Sequence, residues 1–240
     1  MAVHCLGGFD VYQDDRVLGH WPNRRPKAIF QYLVAHRARP VPKEVLMDLF
    51  WPQSGASAAR NNLNVAVYAL RRRLRRHAAD FSPVLFQDEC YLLNPDLDLW
   101  VDMEEFDRLV ASDSMRDLQA AEALYEGDLF ADDPYEDWMM PRRRELQDTF
   151  LGVLDRLRHH YLALGDLPAG AEVCKKMLAV DSCREDAHRE LMRCYVRQGH
   201  HHLALRQYHA CQAALREELN TGPSDETAQL HEQIRRHNAL

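Results

Sequence analysis

The chain has 240 residues, 46% of them hydrophobic and 28% charged, with a formal net charge of −7 and six cysteines. That length holds one large core or two medium ones. No apolar run approaches the ~18–20 residues needed to span a bilayer, and the start Met-Ala-Val-His-Cys lacks the layout of a secretory signal, so a soluble cytoplasmic protein with reduced, mostly buried thiols is expected.

Charge is unevenly spread. Residues 16–76 hold thirteen Lys/Arg against two acids, Glu44 and Asp48. The first hundred residues count thirteen bases against ten acids, and the remainder seventeen against twenty-seven. One half is fit to meet a polyanion and the other is not. Two domains are expected, 1–97 and 98–240.

In chain order, Val3 to Leu6 and Phe9 to Tyr12 are short apolar runs around Gly7-Gly8, followed by a polar turn at Gln13-Asp14-Asp15. They predict a small antiparallel sheet. Pro26 opens a helix over Lys27 to about His36, and Pro42 opens a second, in which Val45, Leu46, Leu49 and Phe50 recur at helical spacing until Trp51-Pro52 stops it. A third helix is predicted from about Ser57 to His77, after a Ser-Gly turn able to cap it.

In that third helix Leu63, Val67, Leu70 and Leu74 share one stripe. At about 100° per residue, the opposite side presents Asn61, Asn62, Val65, Tyr68, Ala69, Arg72 and Arg76, with Arg60, Arg71 and Arg75 on the flank. Amide and guanidinium side chains read base edges in a major groove, and flanking arginines neutralise phosphates. A merely solvated charged face is the competing reading. Val84 to Phe86 and Cys90 to Leu93 then predict a hairpin around Gln87-Asp88-Glu89. Sheet, three helices and hairpin is the order of a winged helix.

From Asp102 onward the chain reads as helix, over Met103–Ala111, Met115–Tyr125, Glu136–Leu164, Ala169–Val180, Glu185–Gln198, Leu203–Leu219 and Asp225–His237. Leu157, Tyr161 and Gly165 recur as Leu191, Tyr195 and Gly199, a period of 34 that marks stacked helical hairpins. Ala204 and Tyr208 occupy tetratricopeptide-like positions, matched by Gly170 and Cys174 in the first copy. The fold class is therefore mainly α, a winged helix-turn-helix with small sheets followed by an all-α helical-repeat domain.

Leu6-Gly7-Gly8-Phe9, Arg39-Pro40-Val41, Leu49-Phe50-Trp51-Pro52 and Ala59 to Leu63 through Leu70 to Leu74 resemble the winged-helix domain of antibiotic-regulatory (SARP-type) transcription activators, relatives of the OmpR-type DNA-binding domain. Leu124 to Leu129, Pro134 to Trp138, Arg184 to His188, Glu217-Glu218-Leu219 and Pro223 to Thr227 resemble the bacterial transcriptional activation domain that follows it in that family. The resemblance implies base and phosphate contacts to double-stranded DNA from Asn61, Asn62, Val65, Tyr68, Arg71 and Arg72. Arg24, Arg25 and Lys27 are secondary candidates, for phosphate or for the transcription machinery. It also implies oligomerisation and recruitment of RNA polymerase or a sigma factor through the helical domain. One departure stands out: the family's glycine-rich wing turn is replaced by Asp88-Glu89-Cys90, whose carboxylates phosphate would repel unless they turn away.

His200-His201-His202, His209 and Cys211 lack the paired offsets of a zinc site. Neither a phosphate-binding loop nor a nucleophile motif is present. A non-enzymatic activator without cofactor is expected, and the alternative is a helical adaptor whose winged helix does not bind DNA.

Overall fold

The computed structural model describes residues 1–13, 16–19, 21–75, 81–112, 114–134 and 136–237. Its residues form two compact units, Met1–Glu104 with Phe130–Asp132, and Glu105–Leu129 with Asp133–Leu240.

In the first unit β1 (Ala2–His4) and β2 (Asp10–Gln13) pair antiparallel with Val3 opposite Val11, and β3 (Arg16–Val17) extends them. Asp14 and Asp15 of the expected turn lie outside the described residues. Helix α1 (Arg24–Ala35) begins three residues before the expected start, with Pro26 inside its first turn. Proline is tolerated there because first-turn amides have no intrahelical acceptor. A short strand, β4 (Val41–Pro42), leads into α2 (Lys43–Phe50), which stops at Trp51.

Helix α3 (Ala56–Leu74) starts at Gly55 with no side-chain cap, so Ser54 does not play the expected capping role. It ends earlier than expected: Arg75 is already extended, and Arg76 and His77 lie outside the described residues. The stripe Leu63, Val67, Leu70 and Leu74 is buried, as are Ile29, Phe30 and Leu33 of α1 and Leu46 and Phe50 of α2, the two helices that pack on α3. Each such side chain contributes roughly 1.5–3 kcal/mol. Strands β5 (Val84–Gln87) and β6 (Cys90–Leu93) form the hairpin, and β4 adds to β6.

The chain then returns as β7 (Trp100–Val101), parallel to β1, which makes the first sheet mixed where the sequence predicted only antiparallel pairing. Buried Asp102 fixes this return. Its carboxylate accepts the N–H groups of Cys5 (2.7 Å), Leu6 (2.9 Å) and Met103 (2.7 Å) and the Cys5 thiol (2.8 Å). Burial, and then the Asp102 charge, push the Cys5 thiol well up, so it stays a protonated donor. The 130–132 segment joins the same edge through Phe130 N–H to the Cys5 carbonyl (2.8 Å) and Ala131 N–H to the Gly7 carbonyl (2.7 Å).

Asp102 also begins α4 (Asp102–Val110), which α5 (Met115–Leu124) follows. A 3-10 turn over Asp137–Met139 precedes α6 (Met140–Ala163) where one continuous helix was expected. Then come α7 (Leu167–Val180), α8 (Glu185–Arg197), α9 (His201–Leu219) and α10 (Asp225–His237), each packed on its predecessor except that α10 packs on both α8 and α9.

The 34-residue period has a structural cause. Gly165 and Gly199 both adopt positive φ, +74° and +80°, and end α6 and α8 in the same way. Asp166 N–H donates to Tyr161 O (2.9 Å) and Gly165 N–H to Leu162 O (3.1 Å); His200 and Gly199 repeat this on Tyr195 and Val196 at 2.8 and 2.9 Å. This paired C-terminal closure needs a left-handed residue, which glycine adopts at least cost. Gly170 lets α7 approach α6 closely, since a Cβ there would lie 2.7 Å from the Leu162 side chain.

Polar latches tie the helical hairpins together. The Glu185 carboxylate accepts the N–H (2.9 Å) and hydroxyl (2.7 Å) of Ser224 and the hydroxyl of Thr227. Burial pushes the Glu185 carboxyl up, but these bonds outweigh it and hold it below its ordinary value. Buried His188 accepts at Nδ1 from Gln207 (2.6 Å) and donates from Nε2 to Ser182 O (2.9 Å). Burial lowers its proton affinity, so it sits neutral in that tautomer. Cys174 is also buried, which pushes its thiol up to about 12. Among the described residues no helix is long and apolar enough to cross a membrane.

Candidate nucleic-acid interface

Because α3 buries one side against α1 and α2, its other side is fixed toward solvent. Asn61, Val65, Tyr68 and Arg72 follow each other at intervals of four, three and four residues and form one exposed stripe. Val65 is 61% and Tyr68 67% exposed, so these apolar groups lie outside the core. The stripe offers an amide, a phenol and a guanidinium, the groups that can hydrogen-bond base edges.

On one flank, Asn62, Val65, Ala66 and Ala69 line a cleft of about 390 Å3 with Asn23, Arg24, Arg25, Pro26 and Trp51. The start of α1 therefore brings Arg24 and Arg25 beside the α3 face. The Arg25 guanidinium lies 5.9 Å from both the Phe50 and Trp51 ring centroids, which orients an otherwise exposed cation. Lys27 is not part of this cluster; its ammonium lies 5.5 Å from the Phe9 ring.

The other flank meets the hairpin. Arg71 is half-buried and donates from Nε to the Val84 carbonyl (2.8 Å), so it holds α3 to β5. Tyr91 donates to Asn64 Oδ1 (3.3 Å), giving exposed Asn64 a place on this flank that sequence reading missed. Arg60 is exposed, as is Arg75. Arg73 turns elsewhere, donating to the Gly19 carbonyl (2.8 Å) with its guanidinium 4.9 Å from the Trp21 ring.

The hairpin tip is a two-residue turn, with Asp88 and Glu89 both at positive φ (47° and 61°), the geometry that normally selects Asn-Gly. Lys43 explains how it is held: its N–H donates to the Glu89 carbonyl (3.0 Å) and its ammonium pairs with the Glu89 carboxylate. One of the two tip carboxylates is thus drawn onto a cation at the start of α2. Asp88 stays exposed.

Two family comparisons agree with this architecture. Residues 101–235 match the bacterial transcriptional activator domain, and residues 23–85 match the C-terminal domain of transcriptional regulatory proteins. The chain belongs to the bacterial transcriptional activator domain family, with an OmpR-like winged helix ahead of that domain as in SARP-type activators. It is a transcription regulator. A solved structure of Mycobacterium tuberculosis EmbR in complex with low affinity phosphopeptide superposes with a TM-score of 0.71 at 21% identity, over 98% of this chain and 64% of that one. This chain thus spans less than two thirds of the EmbR chain, and the likeness is one of fold. No curated protein sequence matches it.

Proposed function

We propose that the chain activates transcription by binding a specific DNA sequence through α3. In this reading α3 lies in the major groove, Asn61, Asn62, Tyr68 and Arg72 meet base edges, and Arg60, Arg24 and Arg25 meet phosphates on either side. Arg71 contributes charge near the backbone while holding the hairpin in place. The second unit pairs protomers or recruits RNA polymerase; its excess of acids suits a basic protein surface and discourages nonspecific capture by DNA.

The observation that carries this reading is the exposed stripe Asn61, Val65, Tyr68 and Arg72, flanked by arginines on a helix whose opposite side is wholly buried. Selection from a random duplex library by the full chain at about physiological salt tests it, since specific sites then outcompete the electrostatic background. An enriched motif is expected. Recovery of no motif would move the assignment to the adaptor, with the winged helix serving a protein partner.

A further inference from the structure

We propose that the second unit holds a binding site for a small carboxylate with an apolar body, in the cavity where the last turns of α8 and α10 part. The site does not depend on the DNA reading proposed above. The two helices start side by side. Glu185 of α8 accepts the hydrogen bonds of Ser224 and Thr227, and Arg189 donates to the Thr227 hydroxyl (2.9 Å) and pairs with Glu226 (3.1 Å). Further along, this latch gives way to a cavity of about 260 Å3, walled by Val196 of α8 and by Leu230 and Ile234 of α10. These three side chains continue the apolar cluster of Met192 and Ala204.

The charged part of the lining has one sign. Arg193 and Arg197 of α8 line the cavity with His201 at the start of α9, and no acid among the described residues does, in a half of the chain with twenty-seven acids against seventeen bases. Arg193 is already engaged, pairing with Glu190 and lying 3.9 Å from Glu226. Arg197 has no ion pair or hydrogen bond among the described residues, so its planar fork is left to take a carboxylate through two parallel bonds. The Nδ1 atom of His201 is buried without a hydrogen-bond partner, a state that folded proteins rarely leave unexplained. A carboxylate seated beside Arg197 brings a charged acceptor to that imidazole. An inorganic anion would leave the apolar wall facing water, and a neutral hydrocarbon would leave Arg197 and His201 unused. Sites for drug-sized ligands run to roughly 300–1,000 Å3, so this smaller cavity limits the occupant to a short aliphatic or single-ring acid.

The test titrates octanoate, octanol and acetate into the full chain by calorimetry. Wild type is compared with Arg197→Gln and, as a control for surface charge, with Arg206→Gln, an exposed α9 arginine outside the cavity. Octanoate is expected to saturate a single site. Arg197→Gln, and exchange of the carboxylate for the alcohol, should each weaken binding about tenfold, as for the loss of one charge-assisted hydrogen bond. Arg206→Gln should bind octanoate as wild type does, and acetate should not bind. Because Arg197 is exposed, its variant should melt with the wild type, which separates contact from folding. The ring resonance of His201, assigned by its disappearance in His201→Gln, should shift as octanoate saturates, which places the ligand in this cavity. Equal binding of octanoate and octanol, equal affinity in wild type and Arg197→Gln, an unmoved His201 resonance or a failure to saturate would each overturn the site, whatever motif duplex selection recovers.

Discussion

Two residues on α3 that look alike in sequence are set apart by their surroundings. Arg71 and Arg72 are adjacent arginines, yet Arg71 is half-buried with Nε on the Val84 carbonyl and Arg72 is exposed. Arg71→Ala should therefore lower the melting temperature, losing a charged hydrogen bond of about 1.5–3 kcal/mol, whereas Arg72→Ala should stay within about 0.5 kcal/mol of wild type. Equal melting of the two variants would show that the α3–β5 tie contributes nothing. Asp102 is the larger test of the first unit. Asp102→Ala leaves the amides of Cys5, Leu6 and Met103 without their acceptor in a buried site. At about 1–3 kcal/mol for each unsatisfied buried group, urea unfolding should show a loss of about 3 kcal/mol or more. A loss under about 1 kcal/mol would mean that water replaces the carboxylate.

At the level of elements, the features legible in the sequence are those with local causes. The helices of the second unit follow from 3.6-residue periodicity, and the 34-residue repeat from glycines whose left-handed closure involves only neighbouring residues. Gly199→Ala should accordingly cost about 1–2 kcal/mol, read as a lower melting temperature, since alanine is strained at φ +80° and nothing nearby compensates. No change on substitution would imply that α8 can end without that closure. What escaped the sequence depends on distant partners. The two-residue strands β4 and β7 are too short to show a period, and their pairing with β6 and β1 comes from tertiary contact. The family strings around Glu185 and Ser224 are both readable, but not that the carboxylate of one caps the other across 39 residues. Likewise the acidic hairpin tip reads as repulsive to phosphate until Lys43 is seen to pair with Glu89. For the candidate site, helical geometry alone gives the stripe from Asn61 to Arg72, while the tie of Arg71 and the displacement of Lys27 toward Phe9 are tertiary facts.

Across the whole molecule, pH and charge separate the two units. His188 and Glu185 both have folded-state pKa values below their ordinary ones. Their stabilisation is therefore complete above the unfolded values, about 6.5 and 4.3, and is lost as pH falls through the folded ones. The second unit should soften first below about pH 6.5 as His188 takes up a proton, and again below about pH 4.3. Thermal melting of wild type and His188→Gln across pH 4 to 8 checks this, because the variant should show a smaller first step, the rest coming from His231, whose proton affinity burial also lowers; identical profiles would place that step elsewhere. If the proposed DNA reading holds, the basic first hundred residues supply the attraction to phosphate and the acidic remainder opposes it, so binding should weaken steeply with salt, by a log–log slope of about 0.9 per phosphate contacted. Base reading by α3 is tested by the ratio of affinities for the selected duplex and a scrambled one, in wild type, Asn61→Ala and Arg72→Ala at one fixed salt. If α3 reads bases, each substitution should shrink that ratio by about 1–3 kcal/mol while binding to the scrambled duplex changes far less. An unchanged ratio in both variants would contradict base reading by this face of α3.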